Sequence, residues 1–139
     1  MKGVWGMKAY TSYFANIRNL DMGKCTAICQ WKPAWYTGDW YRKVAPTKEL
    51  VLDWKANHNE ERYIRIYKEQ VLDKLDPQEV LKRLDGRILL CYERPADFCH
   101  RHLLAQWLRE HGMECVEIGR YKKEGNRKPA GPATELSLF

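Results

Sequence analysis

Residues 87–91, Arg-Ile-Leu-Leu-Cys, form a buried-looking strand that runs directly into an amphipathic helix beginning near Phe98. Between them lies Tyr92-Glu93-Arg94-Pro95-Ala96-Asp97, and the helix opens on Phe98-Cys99-His100-Arg101. A strand followed by a helix restricts the chain to folds in which the strand ends at one edge of a sheet and the helix returns across its face. In such folds ligands collect at the strand's carboxyl end, where the helix N-terminus offers unpaired N–H groups. Two thiols, an imidazole, a guanidinium and a carboxylate meet at this junction.

The rest of the chain repeats the alternation. Residues 7–14 are rich in aromatic and β-branched types and predict a first strand. Lys24 to Trp31 predicts a second, with Cys25, Ala27 and Cys29 on one face. Residues 32–46 carry Pro33, Gly38 and Pro46 and read as a long ordered loop. Thr47 caps a helix bearing Leu50, Val51 and Trp54. Asn57 with Glu60 forms a capping-box pattern for a helix bearing Ile64, Tyr67, Val71, Leu72 and Leu75. Asp76-Pro77 starts a third helix and Gly86 stops it. The last helix runs from about Phe98 to His111, with Gly112 as its stop, and Glu114 to Ile118 predicts a fourth strand.

The 139 residues suit one domain, and 45% hydrophobic content argues for a packed core over disorder. The expectation is a single Rossmann-like α/β domain over residues 7–118, with a small, mostly parallel sheet flanked by helices. Residues 1–6 would be an N-terminal extension, with Met7 an alternative start. Residues 119–139 would be a flexible basic tail containing Pro and Gly. The net charge is +6, and half of it lies in that tail. The N-terminus lacks the apolar run of a signal peptide, and no stretch approaches the ~20 apolar residues of a membrane span. Five cysteines without the spacing of a disulfide scaffold read as reduced thiols, so a cytoplasmic protein is expected.

At the junction, Asp97 is the expected N-cap, which places Cys99 in the first helical turn. A thiol there is drawn toward thiolate by free N–H groups and the helix dipole. Helical projection puts His100 on the apolar face with Leu104, Trp107 and Leu108, and Cys99 and Arg101 on its flanks. The chemical reading makes Cys99 a nucleophile, His100 or Glu93 an acid–base group, and Arg101 an anion clamp. Cys91 completes the pocket. The alternative is ordinary: a core cysteine and a hydrogen-bonded core histidine. A metal reading would use Cys91 and Cys99 with His100, or Cys25 and Cys29, but neither spacing is that of a common zinc module. No cofactor is implied. Cys99 and Arg101 are too close for a phosphatase phosphate loop.

The run from Leu89 to Ala105 resembles the signature of the domain of unknown function 488 family, which carries Leu-Leu-Cys-x-Glu followed by Cys-His-Arg at a helix start. Thr11-Ser12-Tyr13-Phe14-Ala15 resembles that family's opening strand, and Pro33-Ala34-Trp35-Tyr36-Thr37-Gly38 with Ala45-Pro46 resembles its middle segment. The resemblance covers roughly residues 7–118. It implies an α/β fold and Cys91, Glu93, Cys99, His100 and Arg101 as site residues, with no established reaction. In longer members a Ser or Arg follows the second strand. Here Cys29-Gln30-Trp31-Lys32-Pro33 has neither, and no role carries over to it.

Two further segments point to partners. Trp31, Lys32, Trp35, Tyr36, Trp40, Tyr41, Arg42 and Lys43 interleave rings with cations, which suits stacking on bases beside phosphates. Trp35, Tyr36 and Trp40, with Thr11 and Ser12, are therefore candidate ligand-binding residues for a nucleotide or nucleic acid. The alternative is that the rings cover the sheet. The chain ends Glu135-Leu136-Ser137-Leu138-Phe139, which resembles the clamp-binding pentapeptide of bacterial replication and repair proteins, with Glu135 in place of its Gln. Leu136, Leu138 and Phe139 would then anchor to a DNA sliding clamp; otherwise the tail folds onto its own domain. The combined expectation is a protein that acts on or binds nucleotides or nucleic acid. A non-catalytic accessory protein and a metal-binding protein are the alternatives.

Overall fold

The structure is a computed structural model that describes residues 6–92 and 98–119. Five parallel strands form one sheet in the order β3-β2-β4-β1-β5. They are β1 (Lys8–Tyr13), β2 (Cys25–Ala27), β3 (Asp39–Trp40), β4 (Ile88–Cys91) and β5 (Glu114–Glu117). Four α-helices connect them: α1 (Lys48–Asn57), α2 (Glu60–Gln70), α3 (Pro77–Leu84) and α4 (His100–Glu110). This is the expected α/β architecture. Among the described residues no helix is long and apolar enough to cross a membrane.

All four residues of β4 are buried, as its unbroken apolar run requires. Alternation sends Leu89 and Cys91 to one face and Ile88 and Leu90 to the other. The first face carries the main core, with Ala9 and Cys115 from the sheet and Leu50, Tyr67, Val80, Leu84, Leu104 and Leu108 from the four helices. The second face carries a smaller cluster around Phe14 and Tyr36, with Cys25, Ala27 and Cys29 together on it. The two-residue period read from those cysteines therefore holds.

Local signals set most boundaries. Thr47 caps α1 by accepting from the Leu50 N–H at 3.1 Å. Asp76 caps α3 with Pro77 in its first turn. Gly86 and Gly112 take positive φ of 80° and 94°, the conformation glycine adopts without a Cβ penalty.

Three expectations need correction. The cap of α2 is Asn59, which accepts from the Arg62 N–H at 3.0 Å. Asn57 instead accepts from the Asn59 N–H within the turn between α1 and α2. Ile64 is exposed, because α2 turns Tyr63 and Tyr67 into the core. Finally, the loop at 32–46 contains a fifth strand, β3, paired to β2. Asp39 pins it by accepting from Arg83 Nη2 at 2.7 Å and Thr26 Oγ1 at 2.8 Å, contacts that no local pattern announces.

Candidate functional site

The site lies where β1, β4 and β5 end and α4 begins. Cys91 closes β4 on the main-core face. Glu93 and Asp97 lie outside the described residues. The helix cap is Cys99, not the expected Asp97: its backbone is extended (φ −162°, ψ 146°) and its Sγ accepts from the Arg101 N–H at 3.4 Å. The sulfur thus caps α4 at the positive end of its dipole. The sulfurs of Cys91 and Cys99 are in contact. Their Cα atoms are 7.8 Å apart, wider than the roughly 4.4–6.8 Å of a relaxed disulfide, so they stand as two apposed thiols.

His100 faces the sheet, as helical projection predicts, and is fully buried. Its Nε2 lies 2.7 Å from the carbonyl oxygen of Ile28, just beyond β2. A carbonyl only accepts, so Nε2 carries the proton. Nδ1 is 3.8 Å from Cys99 Sγ. Burial pushes the imidazole pKa down to about 3, and the neighbouring charge of Arg101 adds to that, so the ring is neutral at neutral pH. Its lone pair at Nδ1 therefore faces the thiol. A sulfur, an imidazole nitrogen and an orienting carbonyl form a line of the kind that activates nucleophiles.

Arg101 is also fully buried. Its Nη1 donates to the Ser12 carbonyl at 2.7 Å and to Cys91 Sγ at 3.1 Å, and its Nη2 lies 3.2 Å from Glu117 Oε2. The guanidinium thus holds the sulfur of one cysteine, and its own backbone N–H holds the other. Thr11 Oγ1 hydrogen-bonds to Glu117 Oε1. Ser12 Oγ donates to the Ile118 carbonyl at 2.9 Å and accepts from Asn16 Nδ2 at 3.1 Å. Thr11 and Ser12 belong to the framework that joins β1 to β5 and to Arg101.

The aromatic residues are placed elsewhere. Tyr36 is buried in the second-face cluster, where its hydroxyl donates to the Asp39 carbonyl at 2.7 Å and its ring packs on Phe14 at 5.4 Å. Trp40 donates its indole N–H to the Cys29 carbonyl at 2.9 Å. Lys32 and Arg42 lie over the Trp40 ring, 5.7 and 4.9 Å from its centroid. Trp35 is 58% exposed, with its ring edge against Phe14. The sheet separates this cluster from Cys99 and Arg101, so the structure does not bring Trp35, Tyr36 and Trp40 to the thiols. The tail residues Leu136, Leu138 and Phe139 lie outside the described residues.

The other cysteines are of a different kind. Burial raises the thiol pKa of Cys25, that of Cys29 to about 12 and that of Cys115 to about 11. Among the described residues no group of three or more His, Cys, Asp or Glu is arranged to hold a metal ion.

Glu117 is the residue that sequence reading missed at this site. A signal was present: two-residue alternation with Cys115 puts a carboxylate on the buried face of β5, where a charge needs a partner. Asn16 and the Ile28 carbonyl carried no such signal.

A family model described as the active DUF488-N3 subclade matches residues 26–112, from β2 through α4, and includes Cys91, Cys99, His100 and Arg101. No curated protein and no solved structure gives a significant match. With well over half of the chain matched, including its Cys-His-Arg junction, the protein belongs to the domain of unknown function 488 family.

Proposed function

We propose that this protein is a thiol-dependent enzyme acting on a nucleotide or nucleic acid, with Cys99 as its nucleophile. The observation that carries the reading is the position of the Cys99 sulfur. It caps α4, accepts from the Arg101 N–H, and faces the unprotonated Nδ1 of a histidine oriented by Ile28. His100 is the orienting acceptor for the thiol, and Glu93 is the candidate acid–base group. Cys99 is buried in this state, so turnover requires the site to open.

The nucleic-acid part rests on the net positive charge, the exposed Trp35, the Lys32 and Arg42 cations over the Trp40 ring, and the terminal Leu-Ser-Leu-Phe peptide. The last residues tether the domain to a sliding clamp and raise its local concentration at DNA. Clamp binding by the full chain, compared with a chain lacking residues 135–139, tests the tether; equal binding removes it. The catalytic part is tested by Cys99→Ala. Loss of turnover of nucleotides or single-stranded DNA, with the circular dichroism of the wild type, supports it. Retained turnover removes Cys99 from the chemistry.

A non-catalytic accessory protein is the second reading, favoured by the exposure of Trp35 on the face away from the thiols. It gains if Trp35→Ala abolishes binding to single-stranded DNA and no turnover of any nucleotide is found.

A further inference from the structure

The carboxylate of Glu117 has no place in the Cys-His-Arg signature, yet it sits within the same polar network. β5 pairs with β1 so that Glu117 stands beside Thr11. Alternation turns it toward α4, on the face occupied by Cys115 and Cys91. A fully buried guanidinium is costly to desolvate unless it is paired. Glu117 supplies a partner from the edge strand, far from Arg101 in sequence.

We propose that Glu117 is a positioning residue for the thiol site: its carboxylate is a counter-ion that aims the Arg101 guanidinium at Cys91 and limits how strongly that charge acts on the two sulfurs. The inference rests on the reading of Cys99 as a reactive thiol. Its geometric basis is the rigidity of the guanidinium fork. Because the fork is planar, holding Nη2 at Glu117 fixes where Nη1 points, and Nη1 points at Cys91 Sγ and the Ser12 carbonyl. Thr11 in turn fixes the second carboxylate oxygen. The chain of contacts is Thr11, Glu117, Arg101, Cys91, and it delivers a cation to a sulfur through an anion that offsets it.

The titratable and charged groups facing the thiols come from several elements. His100, Arg101 and His102 come from α4, with His102 Nε2 3.5 Å from Arg101 Nη2. Tyr13 stands beside Cys91 in the register of β1 and β4. Tyr67 of α2 packs on the His100 ring at 5.7 Å. Glu117 is the acidic member of this set among the described residues.

The test is a pH titration of thiolate absorbance on the full-length protein, with Cys91→Ser and Cys99→Ser assigning the transitions. Glu117→Gln keeps the size and hydrogen bonding of the side chain and removes its charge. It should move the thiol midpoint down by about half a unit or more, because the cation then acts on sulfur without its offset. Glu117→Asp, which keeps the charge, should stay near the wild type. An unchanged midpoint in folded Glu117→Gln overturns the proposal. If Glu117→Gln does not fold, Thr11→Val takes its place. It keeps the ion pair but frees the carboxylate, and should move the midpoint up as Arg101 draws away from Cys91; no movement again overturns the proposal. The titration needs no substrate. A Cys99→Ser variant with full turnover would defeat the nucleophile reading and leave the Glu117 result to stand or fall alone.

Discussion

The Nε2–H of His100 donates to the carbonyl of Ile28 at 2.7 Å, joining the first residue of α4 to the end of β2 across 72 positions of sequence. The bond fixes the tautomer of the ring and the direction of Nδ1, and it exists only while the imidazole stays inside the core. Acid should therefore act on the fold through this residue. The imidazole pKa lies at about 3 in the folded chain, below the ordinary histidine value of 6.5. Between those values the unfolded chain binds the extra proton, so stability rises with pH across the window. It is fully present above about 6.5 and is lost as pH falls toward 3. The loss should not exceed about 1.4 kcal/mol per pH unit from this group. Urea midpoints of the wild type and His100→Gln, compared from pH 7 to pH 4, should converge as pH falls; parallel curves would contradict the shift.

Thiol chemistry should be selective. Cys29 and Cys115 have pKa values raised to about 12 and about 11 by burial, and Cys25 is raised by the same cause. Cys99 instead has a helix N-terminus and the Arg101 N–H. Alkylation of the native protein near pH 7, followed by peptide mass analysis, should label Cys99 before Cys29, Cys115 or Cys25. Equal labelling of all four would show that the cap does not activate the sulfur.

The pin on β3 can be pulled directly. Burial works against the charge of Asp39, but hydrogen bonds from Arg83 and Thr26, with the charges of Arg83 and Arg87, hold its carboxyl below the ordinary range. Asp39→Asn should cost about 1 kcal/mol near neutral pH, discounted for partial exposure. The direction of the shift makes this stability present above the usual carboxylate pKa and lost as pH falls through the folded one. The difference in urea midpoint between variant and wild type should accordingly shrink in acid.

Gly38 precedes the pin and packs against a ring. A Cβ built there would stand 2.6 Å from Tyr36 Oη and 2.8 Å from its Cζ. The ring is buried, and its hydroxyl is held by the Asp39 carbonyl, so it has little room to move. Gly38→Ala should destabilise the fold by about 1–3 kcal/mol. A wild-type thermal midpoint in this variant would mean that the loop adjusts without strain.

Nucleic-acid binding, where it occurs, should separate the tryptophans. Trp35→Ala removes an exposed ring and should weaken single-stranded DNA binding with little effect on the urea midpoint, since base stacking on one ring is worth about 1–3 kcal/mol. Trp40→Ala removes an indole bonded to the Cys29 carbonyl and should destabilise the fold as well. Binding should weaken with added salt. Salt-independent binding, or equal stability losses at both positions, would contradict this division.

Much of the frame was written locally. An apolar run at 88–91, caps at Thr47 and Asp76, and stops at Gly86 and Gly112 determined strands and helices, because each acts through its own backbone or near neighbours. The same local logic placed Cys99 at a helix start and turned His100 inward. It failed where partners are distant. Ile64 fitted the helix pattern with Tyr67, but tertiary packing buries Tyr63 beside Tyr67 and leaves Ile64 exposed. β3 exists through Arg83 and Thr26, contributed by α3 and β2. Which face of the sheet the aromatic segment covers, and which carboxylate meets Arg101, depend on strand order and register. Those are settled by burial of both sheet faces at once, a condition that no window of sequence contains. The thiol, imidazole and guanidinium were therefore legible as a group, while the tertiary structure alone supplied Ile28, Ser12 and Glu117 as the partners that orient them.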